Sequence, residues 1–181
     1  MWKPVKIKVE HLYPEYFAPY GHVIHTPDER MPDKVKGHFG SYEKHAFAEI
    51  SGERKDGDGW YAANDNRTPL SEGYDRAHFA FHTDAGQSFF PNNGRPSMYI
   101  VGAVGEPLRP DEMRCFYGEG MIGVCLHMGV WHSMPICVEG EELYVTYRGS
   151  ADYNKHSVEV EFDIQQGLVV SPDWDNFDPK A

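Results

Sequence analysis

Cys125-Leu126-His127-Met128-Gly129-Val130-Trp131-His132-Ser133-Met134-Pro135 is the stretch whose reading decides the fold. The apolar run that begins at Ile122 reads as a strand. Gly129 reads as the point where the backbone bends, and His132 as a polar side chain delivered beside Trp131. Glycine relieves the steric limit on a tight turn. A small β-barrel that holds one ligand needs inward polar groups near its strand ends. One histidine near one glycine also describes an ordinary buried, hydrogen-bonded side chain, so the surrounding pattern has to carry the reading.

Outward from this stretch, the chain is punctuated as an all-β protein. His78-Phe79-Ala80-Phe81-His82 alternates, with His78, Ala80 and His82 on one face and the two phenylalanines on the other. Residues 83–86 are turn chemistry, and a strand runs from Gln87 to Phe90 before the turn at Asn92-Asn93-Gly94. Further strands are expected at residues 5–9, 23–24, 38–50, 98–104, 113–117, 122–127, 142–148 and 157–162. A short helix is expected over residues 11–20, where Pro14 suits the first turn and Gly21 the end. Residues 26–37, 51–59 and 61–71 read as loop, turn and irregular chain. Residues 139–142 read as a solvated turn, and the acidic tail from Ser171 as a segment that wraps the surface or frays. No helix long enough to separate parallel strands is visible. The expected architecture is therefore a single, mainly antiparallel β-barrel domain over residues 1–181.

The bulk properties narrow the function. A formal net charge of −11 argues against nucleic acid and against an anionic membrane surface, since both need a basic patch. A local arginine can still receive a small anion inside an acidic protein. The three cysteines, Cys115, Cys125 and Cys137, form no CxxC pair and read as buried thiols of a reducing compartment. The N-terminus has no secretory apolar region, and no apolar run approaches the roughly 20 residues a membrane helix needs. The expected location is the cytoplasm.

The residue types that can do chemistry fall in a few places. His127 and His132 can act as acid and base, because imidazole titrates near neutral pH, and Gly129 can break the alternation between them. Arg114 and Arg148 lie on expected strands. A buried arginine needs an anion, either a substrate carboxylate held in a bidentate fork or a Glu or Asp of the protein. His11, His22, His25, His38, His45 and His156 show no ligand spacing, while His78 and His127 are possible additions to a ligand set. No Ser-His-Asp order, phosphate loop, dinucleotide glycine pattern or HExxH is present.

Two segments resemble the halves of a cupin site. In cupins a His-x-His, then Glu, on the first hairpin supplies metal ligands, and a later motif completes the site. Here Ala80 stands in the place of the first histidine and Gln87 in that of the glutamate, while Gly129 to His132 fits the later motif. A divalent metal such as nickel or manganese would then meet His82, His132 and Gln87. That donor set is poor for zinc and better for a weakly held transition metal. Direct binding of substrate by the same groups is the competing reading.

Over most of its length the chain resembles the ureidoglycolate lyase family. Tyr13-Pro14-Glu15-Tyr16-Phe17-Ala18-Pro19-Tyr20-Gly21-His22-Val23-Ile24 resembles the family's opening helix and strand. His82-Thr83-Asp84-Ala85-Gly86-Gln87-Ser88-Phe89-Phe90-Pro91 resembles its His-Pro-x-Gly-x-Gln-x-Phe-x-Pro segment. Met113-Arg114-Cys115-Phe116, Leu126-His127 to Trp131-His132, and Tyr147-Arg148-Gly149-Ser150 with Asn154 follow in the family's order. The resemblance implies a homodimeric, cytoplasmic, cupin-like enzyme of allantoin catabolism that splits ureidoglycolate into glyoxylate and urea. It implies His127 and His132 as acid and base, with Arg148 or Arg114 as carboxylate clamp. His82, Gln87 and Trp131 would touch the substrate, the first two alternatively a metal.

Three departures loosen the substrate. A charged pair of the family is replaced at Ala80-Phe81-His82-Thr83, an arginine is missing at Met128, and the family's His-His-Pro becomes His132-Ser133-Met134-Pro135. Two alternatives stay open on this ground. One is a cupin-type lyase or isomerase for another small carboxylate or sugar. The other is a non-catalytic module that binds a small molecule.

Overall fold

Strand alternation sorts the apolar residues onto two faces of one central sheet, and that sorting builds the molecule in layers. The computed structural model describes residues 2–25, 34–37, 40–43, 61–63, 73–83, 86–105, 107–140, 142, 144–148 and 153–181. In chain order the elements are β1 (Lys3–Ile7), β2 (Val9–His11), α1 (Pro14–Phe17), β3 (Gly21–Ile24), β4 (Lys34–Gly37), β5 (Gly40–Glu43) and β6 (Tyr61–Ala63). They continue with β7 (His78–His82), β8 (Gln87–Pro91), β9 (Ser97–Gly102), β10 (Arg114–Gly118), β11 (Gly123–Leu126), β12 (Trp131–His132) and β13 (Ile136–Cys137). The last are β14 (Tyr144–Arg148), β15 (Ser157–Glu161), α2 (Phe162–Gln166) and β16 (Leu168–Pro172).

The central sheet has the order β15-β7-β12-β9-β10-β2, with β13 also paired to β9. A second sheet has the order β3-β11-β8-β14-β6. Pairing is antiparallel except for β10 with β2 and β1 with β16. The fold is all-β and cupin-like, as expected, and the helices among the described residues are short. Among the described residues no helix is long and apolar enough to cross a membrane.

Between the two sheets, Phe89, Val124, Leu126 and Tyr144 of the second sheet meet Tyr99, Val101 and Phe116 of the central one. On the other face of the central sheet, Phe79, Met98, Ile100, Cys115 and Trp131 pack with Ile7, Phe162 and Val170, which β1, α2 and β16 bring across. Each fully buried aromatic or aliphatic side chain contributes about 1.5–3 kcal/mol, so these two cores supply the main drive to fold. The phenylalanines of β7 obey the predicted alternation: Phe79 is in the outer core, and Phe81 stands edge-on to Trp131 at 4.6 Å.

The structure differs from the sequence reading in several local places. The first strand breaks at Lys8, because β1 pairs with β16 and β2 with β10. The helix shortens to four residues at Pro14–Phe17, its first turn opened by Pro14. Strands β4 and β6 occupy positions read as loop and irregular chain, and α2, β13 and β16 were not foreseen. The turn read at 51–59 lies outside the described residues. The acidic tail wraps: Phe177 rests on His11 and Tyr117, and His11 Nε2 donates to the Asp178 carbonyl at 3.1 Å.

Glu142 corrects the reading of residues 139–142 as a solvated turn. It is buried, and its carboxylate accepts from the Asn93 backbone N–H (3.0 Å), the Asn93 side-chain amide (3.1 Å) and the Arg95 N–H (2.8 Å). It holds the Asn92-Asn93-Gly94 turn between β8 and β9, where Gly94 takes φ 69°. A carboxylate serving several N–H donors tolerates burial because its charge is spread over hydrogen bonds. Glu142→Gln places an amide N–H against these donors. It is expected to lower stability by about 1–3 kcal/mol in urea denaturation; an unchanged midpoint would remove this clamp from the account.

Candidate active site

The chain passes from the central sheet to the second sheet between β7 and β8, and the candidate site forms at that crossing. His82 ends β7 and Gln87 begins β8. β12 lies beside β7, so His132 pairs with Ala80. Ala80, His132, Val101 and Arg114 stand in one row across β7, β12, β9 and β10. Directly paired residues share a face, so the position of Val101 in the core between the sheets places His132 on that inner side.

His82, Gln87 and His132 are all buried. His82 Nε2 lies 2.7 Å and His132 Nε2 3.2 Å from Gln87 Oε1, and the two rings are 5.1 Å apart. The convergence of the imidazoles from two distant hairpins, expected from the sequence, is present. The outer nitrogens are also engaged. His82 Nδ1 meets Ser157 Oγ at 3.0 Å, and His132 Nδ1 donates to the Val130 carbonyl at 2.9 Å. The Val130 carbonyl is presented by the turn at Gly129, whose φ of 82° favours glycine. The Gly129 N–H in turn donates to the His82 carbonyl at 3.0 Å, pinning the turn against β7.

Burial pushes the His132 imidazole down to about 3, with the neighbouring His82 adding to the effect and the Val130 carbonyl opposing it. At neutral pH the ring is therefore uncharged. Its proton sits on Nδ1, toward the carbonyl, and its Nε2 lone pair faces the shared point. Such a ring is a weak proton acceptor and a good ligand or hydrogen-bond acceptor.

The donor set fits a loosely held divalent cation. Each imidazole Nε2 lies from the amide oxygen at a spacing close to the edge of a coordination shell, about 3 Å for ligands near 2.1 Å from a metal. The set carries no negative charge, which disfavours tight binding. Among the described residues no group of three His, Cys, Asp or Glu side chains could hold a metal, so a cation here depends on Gln87.

The other predicted site residues go elsewhere. Trp131, expected to touch the substrate, is corrected to a core residue. It packs on the opposite face of the sheet from His132, and its indole N–H donates to the Gly105 carbonyl at 2.8 Å. Neighbours in a strand point to opposite sides, so one of the pair had to leave the pocket face. Arg114, expected as a carboxylate clamp, meets the protein's own carboxylate instead. Its Nε and an Nη donate to Glu10 at 2.8 and 2.9 Å, and it lies against Phe116 at 4.7 Å. His127 is buried with its ring edge-on to His22 at 5.0 Å, and its backbone N–H donates to Tyr20. Gly129 thus turns the chain without bringing His127 and His132 together as a pair. Arg148 stands opposite Gln87 in the β8–β14 ladder.

Ser157 and the Val130 carbonyl escaped the sequence reading. Ser157 lies directly across from His82 in the β7–β15 ladder. Only the pairing of those two strands, not any local motif, signals it.

The family model for ureidoglycolate lyase matches residues 4–169. The chain belongs to the ureidoglycolate lyase family. It is 29% identical over 171 residues to the ureidoglycolate lyase of Pseudomonas savastanoi pv. phaseolicola, covering 92% of this chain and 96% of that one. It is 29% identical to that of Azotobacter vinelandii over 158 residues (82% and 88% of the two chains), and 28% identical to that of Stutzerimonas stutzeri over 167 residues (92% and 95%). The matched span includes His82, Gln87 and His132.

The Glu10–Arg114 pair has a pH signature of its own. The hydrogen bond from Arg114 holds the Glu10 carboxyl below its ordinary value of 4.5. A depressed carboxylate stabilises the fold fully above its unfolded value, and that contribution is lost as pH falls through the lower folded value. Glu10→Gln is expected to lower stability by about 0.5–1 kcal/mol at pH 7, after allowing for solvent screening of a partly exposed pair. The gap between wild type and variant should close in denaturation curves taken progressively below pH 4.5. A gap that widens on acidification would contradict the assignment.

Proposed function

We propose that this protein splits ureidoglycolate into glyoxylate and urea. The observation that carries the reading is the convergence of His82, His132 and Gln87 on one buried point, in a chain that matches the lyase family from residue 4 to 169. Ureidoglycolate is a carbinol-amide with a carboxylate. Loss of the hydroxyl proton and protonation of the nitrogen let the C–N bond break, leaving an aldehyde and urea. The reaction requires a proton acceptor, a proton donor and a grip on the carboxylate.

The roles follow from what each group can do. His132, neutral through burial, accepts a hydrogen bond from the substrate hydroxyl at Nε2 and orients it. His82 and Gln87 complete the polar lining. Arg148, opposite Gln87, supplies the cation for the substrate carboxylate. Where a divalent ion such as nickel or manganese is used, Nε2 of His82, Nε2 of His132 and Oε1 of Gln87 would hold it. When bound, it supplies Lewis acidity toward a substrate oxygen.

The proposal places the enzyme in the cytoplasm as a homodimer. Burial of all three cysteines, none of them in a disulfide, supports a reducing compartment. One observation favours a less charged analogue as a second reading. Ala80 stands directly across from His132 and Phe89 lies against its ring at 5.7 Å, so this wall of the site is apolar.

The test is glyoxylate release from ureidoglycolate by the purified full chain, after a chelator wash and with nickel or manganese restored. Release under one of these conditions is expected. His132→Asn should reduce it at least about 100-fold at a temperature where circular dichroism shows the variant still folded. No release under any condition would end the ureidoglycolate reading, and full activity in the variant would take His132 out of the mechanism.

A further inference from the structure

Among the described partners, one arrangement gives both Nε2 atoms a hydrogen bond without leaving a buried cation. His132 Nδ1 lies 2.9 Å from the Val130 carbonyl, which can only accept, so this nitrogen carries a proton. With the amide oxygen of Gln87 toward Nε2, His132 would have to donate from both nitrogens. It would then be a buried cation 5.1 Å from a second imidazole ring. Burying a charge without a counter-ion costs far more than turning a side-chain amide over. An amide has nearly the same shape either way round. Turned by half, Gln87 offers two N–H donors, and two Nε2 lone pairs lie within reach, at 2.7 and 3.2 Å from the atom they replace. His82 must then carry its proton on Nδ1 as well, and the group facing that nitrogen at 3.0 Å is the Ser157 hydroxyl.

We propose that Ser157 is a positioning residue for His82: its hydroxyl oxygen accepts a hydrogen bond from Nδ1–H and so leaves the Nε2 lone pair aimed at the point shared with His132. Ser157 and the Val130 carbonyl become counterparts. Each acts behind one imidazole, and each fixes which nitrogen looks inward. The strand geometry is suited to this. Ser157 is the direct cross-strand partner of His82, so its Cβ is held about 5 Å away by the ladder itself. A side chain as short as serine reaches the ring from there without disturbing the pairing of Phe81 with Val158. The inference rests on His82 being a working residue of the proposed site, and it concerns the resting protein.

Ring-nitrogen NMR of the full chain, labelled with 15N-histidine and washed with chelator, tests it at neutral pH. Signals are assigned with His82→Gln and His132→Gln. Both histidines are expected to show a pyrrole-type Nδ1 and a pyridine-type Nε2. In Ser157→Ala the His82 signals should move toward the averaged position of free imidazole while those of His132 stay in place. Ser157→Thr, which keeps the hydroxyl, should restore the wild-type pattern. A pyrrole-type Nε2 on His82 in the wild type overturns the proposal, as does an Ala variant whose His82 signals do not move. If the Ala variant does not fold, the wild-type spectrum decides by itself. The readout uses neither substrate nor metal. Failure to release glyoxylate therefore leaves it standing, and a wrong tautomer overturns it without touching the lyase reading.

Discussion

A single amide, that of Gln87, stands between two buried imidazoles, and the cost of burial decides what all three can be. A charged ring in that place would lack a counter-ion among its described neighbours, so His132 is neutral and donates its one N–H to the Val130 carbonyl. The lone pair that remains faces inward. An inward lone pair of this kind accepts a hydrogen bond rather than storing a proton. Its catalytic use depends on what is brought to that point.

The fold makes this arrangement by crossing between sheets. β7 and β8 follow each other in the chain but belong to different sheets, so His82 and Gln87 face each other across the gap. β12 enters the central sheet between β7 and β9 and adds His132 from a remote hairpin. Two apolar cores, one on each face of the central sheet, hold these strands in place. Their contribution far exceeds what a few hydrogen bonds at the site add or cost. A buried polar cluster can be afforded where so much apolar surface surrounds it.

The misread residues share a cause. Trp131 is adjacent to His132 in the sequence, and a motif reading groups adjacent residues, yet a strand sends them to opposite faces. The alternation so clear in His78-Phe79-Ala80-Phe81-His82 applied equally there. Arg114 looked like a clamp because an arginine on a strand needs an anion; the anion is Glu10, 104 positions earlier in the chain and adjacent only through the parallel pairing of β2 and β10. Glu142 looked solvated because it ends a charged run, and its burial comes from the β8–β9 turn that it clasps.

By itself the sequence determined the all-β class, the membership of a lyase family, the turn at Gly129 and the grouping of His82, Gln87 and His132. These follow from local periodicity, from backbone freedom at one glycine, and from residue types kept in order along the chain. Tertiary structure alone decided which side chain faces which. Ser157 behind His82, Val130 behind His132 and Glu10 beside Arg114 depend on strand registers between distant segments, and register is set by the burial of whole faces rather than by any short motif.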